Sequence, residues 1–229
     1  MRIIFFVLAT VAGTTLTAQD FILNGWGIEV LPHIGSRRLV AAVQIDVDEV
    51  RAIEAQETAT FGYGLGIFYR NRAEKIGTRL GLRYQSTGFD GNRRDFPELN
   101  PPISTEVAYR TQIFEAPLWL DFYQNFGERS SFVFSFGLSP SIHFGQEFEE
   151  TTFRSGEAPT SALKDDNYRG FNIGFMSGLG FERRLGRKLV LGVQPQFQYY
   201  ILGNTINEEN NLNRNLFNMA VRLTLMRIN

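Results

Sequence analysis

Apolar and polar positions alternate along most of this chain with a period of two. The pattern is cleanest over residues 76–85. There Ile76, Thr78, Leu80, Leu82 and Tyr84 fall on one face, and Gly77, Arg79, Gly81, Arg83 and Gln85 on the other. Such a period places successive side chains on opposite faces of a β-strand. Similar runs occupy 25–34, 61–70, 108–123, 131–145 and 216–228, and two more form the arms of a hairpin over 169–202, turning at Arg184-Leu185-Gly186-Arg187. One face of each run carries Phe, Leu, Ile, Val or Tyr, and the other Gly, Gln, Ser or charge. A soluble barrel would turn the greasy face inward. Here the opposite face is tiny or polar, so the pattern predicts a barrel with its apolar face toward lipid. The expected fold is all-β: an eight-stranded antiparallel up-and-down transmembrane β-barrel.

The spacing of the runs supports this. The connections 35–60, 88–107, 146–168 and 203–215 are long, and 71–75, 125–130 and 184–187 are short. Long and short alternate, as in barrels with long external loops and short periplasmic turns. Pro32, Pro117, Pro140 and Pro195 fall inside the runs. Proline cannot donate to a ladder and a closed barrel has no edge to house it, so bulges are expected at some of these positions. Each bulge would reverse facing beyond it.

Composition narrows the class. A chain of 229 residues suits one domain, and a net charge of −1 gives no reason to expect nucleic acid. The absence of cysteine excludes disulfides, thiolate metal sites, cysteine nucleophiles and a lipidated cysteine. Met1-Arg2, the apolar run 3–12 and the small, polar stretch 13–18 have the layout of a signal peptide cleaved near Ala18. The run is too short to span a bilayer as a helix. The expected organisation is a signal peptide over 1–18 and a barrel over 19–229, exported to a bacterial outer membrane.

The segment Ile113-Phe114-Glu115-Ala116-Pro117-Leu118-Trp119-Leu120, followed by a short turn with Gly127 and an aromatic strand with Gly137, is similar to the PorT-like family of outer-membrane β-barrel domains. The resemblance implies an eight-stranded barrel. It also implies a structural or docking role as an accessory to a secretion or surface-assembly complex. The chain departs from common barrel signatures by ending Arg227-Ile228-Asn229 rather than in an aromatic.

The candidate chemistry lies inside the tube and at its rim. Glu29, Glu115, Asp121 and Glu182 are expected on the inner face with Arg70, Arg79, Arg83 and Arg222. Four acids and four bases in a narrow interior are expected to pair, because unpaired buried charge is costly. Inward glycines at 62, 64, 66, 77, 81, 174, 178 and 180 leave a cavity or permit strong curvature. The only histidines, His33 and His143, are expected inward near the external rim, with Ser139 and Ser141 close to His143. No catalytic residue, metal site or cofactor is expected, since strand spacing alone does not assemble a Ser–His–acid set. The loop over 146–168 is acidic, with Glu147, Glu149, Glu150, Asp165 and Asp166, and the turn near 184–187 is basic. Expected partners are outer-membrane lipid and lipopolysaccharide, the assembly machinery during biogenesis, and a periplasmic or secretion-system protein. A narrow porin-like channel and a rim-site lipid-modifying enzyme are the alternative readings.

Overall fold

A computed structural model describes residues 23–41, 48, 51, 55, 57–99, 101–164, 169–203 and 212–229. The proposed signal peptide, Asp165 and Asp166 lie outside the described residues. The elements are β1 (Leu23–Ala41), β2 (Glu57–Arg72), β3 (Ile76–Gly91), β4 (Arg94–Phe96), β5 (Ile103–Glu115), β6 (Leu118–Asn125), β7 (Ser130–Arg154), β8 (Thr160–Lys164), β9 (Phe171–Leu185), β10 (Leu189–Tyr200) and β11 (Leu212–Ile228). All the pairings are antiparallel.

The pairings make a complete circuit. β1 pairs β2, β2 pairs β3, β3 pairs β5 and β6, these pair β7, and β7 pairs β9; β9 pairs β10, β10 pairs β11, and β11 returns to β1. β5 and β6 act as one stave of the ring. Glu115 faces Ser141 and Leu118 faces Leu138, so the register is unbroken across Ala116-Pro117. The gap is bridged by Gly81 N–H donating to Pro117 O and Ala116 N–H donating to Pro140 O, both at 3.0 Å. The circuit therefore has eight staves, as the alternation predicts.

The prolines do not carry the bulges expected of them. Pro32, Pro140 and Pro195 hold their cross-strand registers, and at Pro117 only the strand assignment is interrupted. Facing does not reverse at any of them. The shifts lie elsewhere, between Ala59 and Tyr63 on β2 and opposite Arg110–Gln112 of β5. At the second, Gln112 faces Phe144 while Arg110 faces Glu147, so β7 holds one extra residue, beside Gly145 at φ 55°. A glycine in the left-handed region is the usual way to insert a residue into an antiparallel strand. Odd-numbered residues of β7 point inward up to His143, and beyond Gly145 the parity inverts.

The long connections are shorter than expected. β1 runs on to Ala41, β2 begins at Glu57 and β11 at Leu212. β7 extends to Arg154 and pairs with both β5 and β8 beyond the ring, while β4 pairs the start of β5. The described residues of 88–107 and 146–164 are thus largely sheet rather than loop. At about 3.3 Å per residue β7 is roughly 80 Å long, far more than the 9–11 residues that cross a bilayer. A projecting sheet ordered β4-β5-β7-β8 continues the wall at the long-loop end.

The two faces of the wall differ as the alternation requires. Phe61 is 73% exposed on the outside and Trp26 60%, whereas Arg83 is 1% exposed and Asp121 0%. Two apolar clusters also sit inside the tube. Phe89, Tyr109, Ile113, Tyr200 and Leu216 pack at the long-loop end, and Phe68, Val190, Met226 and Ile228 at the short-turn end.

Candidate functional site: the interior charge network

The inward-facing positions of neighbouring strands stack into layers along the tube. The central layer is built on Glu115, whose two oxygens are used fully. Oε2 accepts from Arg83 Nη2 at 3.0 Å, Ser139 Oγ at 2.6 Å and Gln198 Nε2 at 2.7 Å. Oε1 accepts from Arg83 Nε at 3.2 Å and from the Tyr200 hydroxyl at 3.4 Å. Arg83 also stands 3.7 Å from Glu29 and donates to Gln198 Oε1 at 2.9 Å. One guanidinium therefore serves two carboxylates from different staves.

The next layer toward the short turns holds Asp121. Its carboxylate accepts from Arg79 Nη2 at 2.7 Å, Ser135 Oγ at 2.6 Å and the Tyr123 hydroxyl at 3.1 Å. Below it Arg70 Nη1 donates to both oxygens of Glu182 at 2.6 Å. Arg72 lies 3.7 Å over the Tyr123 ring and donates to Asn125 Oδ1 at 2.5 Å. Charge-assisted bonds of this kind are the strong ones, and the arginine–carboxylate pairs join residues distant in sequence.

All eight predicted interior charges are buried, but the expected balance of four and four is corrected. Arg37 and Arg72 are buried inside the tube as well, at 6% and 7% exposure, making six arginines against four acids among the described residues. Sequence reasoning missed both because they lie beyond the proposed ends of the first two strands. The alternation, carried two turns of the pleat further, finds them. Phe68 was missed for another reason: it lies between the outward Ile67 and Tyr69 in an unbroken apolar run, where the contrast between faces vanishes.

The external acidic group is also revised. Glu147, Glu149 and Glu150 are on β7, not in a loop; Glu147 and Glu149 share its exposed face and Glu150 lies on the other. Among the described residues no three His, Asp or Glu side chains are placed to hold a metal ion. His33 and His143 both face inward, as predicted, and are buried there, at 3% and 4% exposure. Ser141 Oγ lies 3.3 Å from His143 Nε2, but His143 Nδ1 has no hydrogen-bond partner among the described residues. The nearby acid, Glu115, is engaged by Arg83, Ser139, Gln198 and Tyr200 instead. Among the described residues, no third member that would orient a catalytic imidazole is placed at His143.

A vestibule of about 230 Å³ opens at the short-turn end, lined among others by Arg72, Glu74, Arg129, Arg184 and Glu182. It reaches inward as far as Glu182.

No family model and no curated protein matches the chain. Several solved structures are similar in strand layout. The outer membrane protein OprG from Pseudomonas aeruginosa is 12% identical, with 92% of this chain and 95% of that chain covered at a TM-score of 0.47. Neisserial surface protein A is 9% identical, with 87% and 96% covered at 0.38. Ail, the attachment invasion locus protein of Yersinia pestis, is 10% identical, with 87% and 98% covered at 0.31.

Proposed function

We propose that this chain is an integral protein of a bacterial outer membrane with a structural or docking role, in which the tube is an anchor and the projecting sheet is the part that meets partners. The observation that carries the reading is the inverted wall. Phe, Leu, Ile and Val stand exposed around the outside, while arginines and carboxylates are buried within. Closure satisfies the backbone in lipid, where no water is at hand to do so. The short turns then lie on the periplasmic side and the projecting sheet outside.

The interior favours an anchor over a pore. Eight staves enclose a space just wide enough for side chains. Here that space holds bonded charge layers between two apolar clusters. An accessory role in a secretion or surface-assembly complex, in the manner of PorT-like proteins, follows from the resemblance at 113–120 and gives the projecting sheet a protein partner. A narrow channel for small solutes is the alternative, and the vestibule is the feature that favours it. Planar-bilayer recording of the purified protein separates the two. The anchor reading expects no unitary conductance. Steady, ion-selective steps would establish the channel instead. Crosslinking in native membranes, followed by mass spectrometry, tests docking: the expected result is a stoichiometric envelope protein joined through residues of β7 or β8.

A further inference from the structure

At its short-turn end the outer wall carries a charge in an otherwise uncharged row. Tyr69, Trp26, Arg227 and Leu189 are cross-strand neighbours there, on β2, β1, β11 and β10. The next outward row, Ile67, Ile28, Leu225 and Leu191, is wholly apolar. Trp26 and Arg227 are both exposed, and the Trp26 ring packs on Tyr69 at 4.9 Å. An arginine on a lipid-facing wall is costly at the bilayer midplane and nearly free at its edge. Tryptophan and tyrosine favour that same edge. The row therefore stands at the level of the headgroups on the short-turn side.

A groove of about 370 Å³ lies across these two rows. Trp26, Ile28, Ile67, Leu189 and Leu225 wall it, and Arg227 is its charged lining residue. The basic turn that follows β9 is fastened beside it. Lys188 O accepts from the Ile228 N–H at 2.8 Å, next to Arg227, and the exposed Lys188 directly precedes Leu189 of the groove wall. Among the described residues no carboxylate lies within 4.0 Å of Arg227 or Lys188. Apolar walls suit an acyl chain. A guanidinium at their end suits a phosphate diester, which it meets with two parallel N–H···O bonds. Basic residues at a membrane surface draw anionic lipid.

We propose that this groove binds one anionic glycerophospholipid from the periplasmic leaflet. Arg227 holds the phosphate, Lys188 adds to the attraction, and one acyl chain lies along Ile28, Ile67 and Leu225. The inference rests on the outer-membrane reading above and gives the anchor a specific lipid. The bound lipid sits on the seam where β11 returns to β1 and closes the ring. A free phosphate ion would use Arg227 but leave the apolar walls without a partner.

The test uses the full folded protein, stripped of carried lipid in detergent and read by native mass spectrometry. Phosphatidylglycerol, phosphatidylethanolamine or inorganic phosphate is added in separate series. One phosphatidylglycerol per chain is expected to be retained, with a preference over phosphatidylethanolamine of about twentyfold, the combined effect of two basic residues near a surface. Arg227→Gln is expected to cut that preference about fivefold, the share of one such residue. If that variant does not fold, Lys188→Gln in the exposed turn carries the same arm. Ile67→Trp, which fills the groove from its outer wall, is expected to weaken retention of both lipids alike. Equal retention of the two lipids, or a preference unchanged in Arg227→Gln, would overturn the proposal. So would a phosphate adduct at Arg227 without any lipid adduct, which would make the site one for a free anion. Insertion into vesicles of the same two lipids is measured in parallel. A chain that does not insert overturns the outer-membrane reading and this inference with it. A chain that inserts but retains lipid without preference overturns this inference alone.

Discussion

Within β7 one continuous strand passes through two environments. From Ser131 to His143 burial alternates strictly, residue by residue, between the packed interior and the exposed apolar outside. From Phe144 to Arg154 the same backbone, still paired to β5, has only half-buried and exposed positions. The inner stretch reads Phe132, Phe134, Phe136, Leu138 on one side and Ser135, Gly137, Ser139, Ser141 on the other. The outer stretch reads Glu-Phe-Glu-Glu-Thr-Thr-Phe, with no apolar face. The same secondary structure serves both, so the backbone does not decide what lies outside the wall. The side-chain split does, and it ends at Gly145, where the bulge re-aims the strand.

This contrast predicts that equivalent changes cost very different amounts in the two regions. The largest effect is expected in the charge layers. Glu115→Ala removes the acceptor of Arg83, Ser139, Gln198 and Tyr200 and leaves the buried Arg83 guanidinium with Glu29, 3.7 Å away, as its remaining carboxylate. Unfolding in lipid vesicles should show a loss of about 3–5 kcal/mol, the range for breaking a buried pair from one side. The triple variant Glu29→Gln/Arg83→Met/Glu115→Leu should recover much of it, because removing all three charges leaves neither carboxylate without its guanidinium. A single-site loss under 1 kcal/mol would mean that the network is solvated.

The outer wall comes next. Leu82 is 63% exposed on the apolar face of β3. Leu82→Arg should cost about 2–4 kcal/mol if that face meets the bilayer core. Leu163 is 71% exposed on β8 of the projecting sheet. Leu163→Arg should stay within about 0.5 kcal/mol, as surface changes do. Equal costs at the two leucines would remove the distinction between wall and sheet, and with it the lipid reading.

The eight staves and the facing of nearly every wall residue were legible in the sequence, because a polar residue at every second position can be read without knowing the partner strand. Glu115, Asp121 and Glu182 could be assigned inward for that reason. Which arginine each would meet could not be read, since Arg70–Glu182 joins residues 112 apart and depends on ring closure. The prolines misled because a missing N–H donor need not break the register: Pro117 still accepts from Gly81, and the stave continues. The ends of the strands were hidden where the outer face turns polar, as at Glu147 and Glu149, or where the inner face turns apolar, as at Phe68 and Tyr109. Arg37 and Arg72 fell beyond those apparent ends.

Glycines sharpen the contrast at a smaller scale. Gly137 lies on the inner face of β7, where an added Cβ would run into the Leu118 carbonyl on the neighbouring stave. Backbone cannot give way as a flexible side chain can, so Gly137→Ala should cost about 1–3 kcal/mol, as overpacking does. Gly156, in the turn between β7 and β8, has open space around it but sits at φ +81°. Gly156→Ala therefore meets only backbone strain, about 1 kcal/mol, and should change the ordering of the projecting sheet without loosening the tube. Amide exchange read separately for β7 residues on either side of Gly145 distinguishes the two.

The smallest effect is expected at the exposed acids. Glu147 and Glu149 point outward from the projecting sheet, two residues apart on one face. Their carboxylates are exposed, and charges in that setting couple weakly through water. Glu147→Gln/Glu149→Gln should shift the unfolding midpoint by no more than about 0.5 kcal/mol, against the several expected for the single interior Glu115. A calcium ion wants six to eight oxygens, and two carboxylates on a strand face supply too few of them, so the midpoint's response to calcium should be the same with and without the substitutions. A calcium response that disappears in the double variant would show that the projecting sheet gathers further oxygens around these two residues, and would give it a cation-dependent surface in place of a plain polar one.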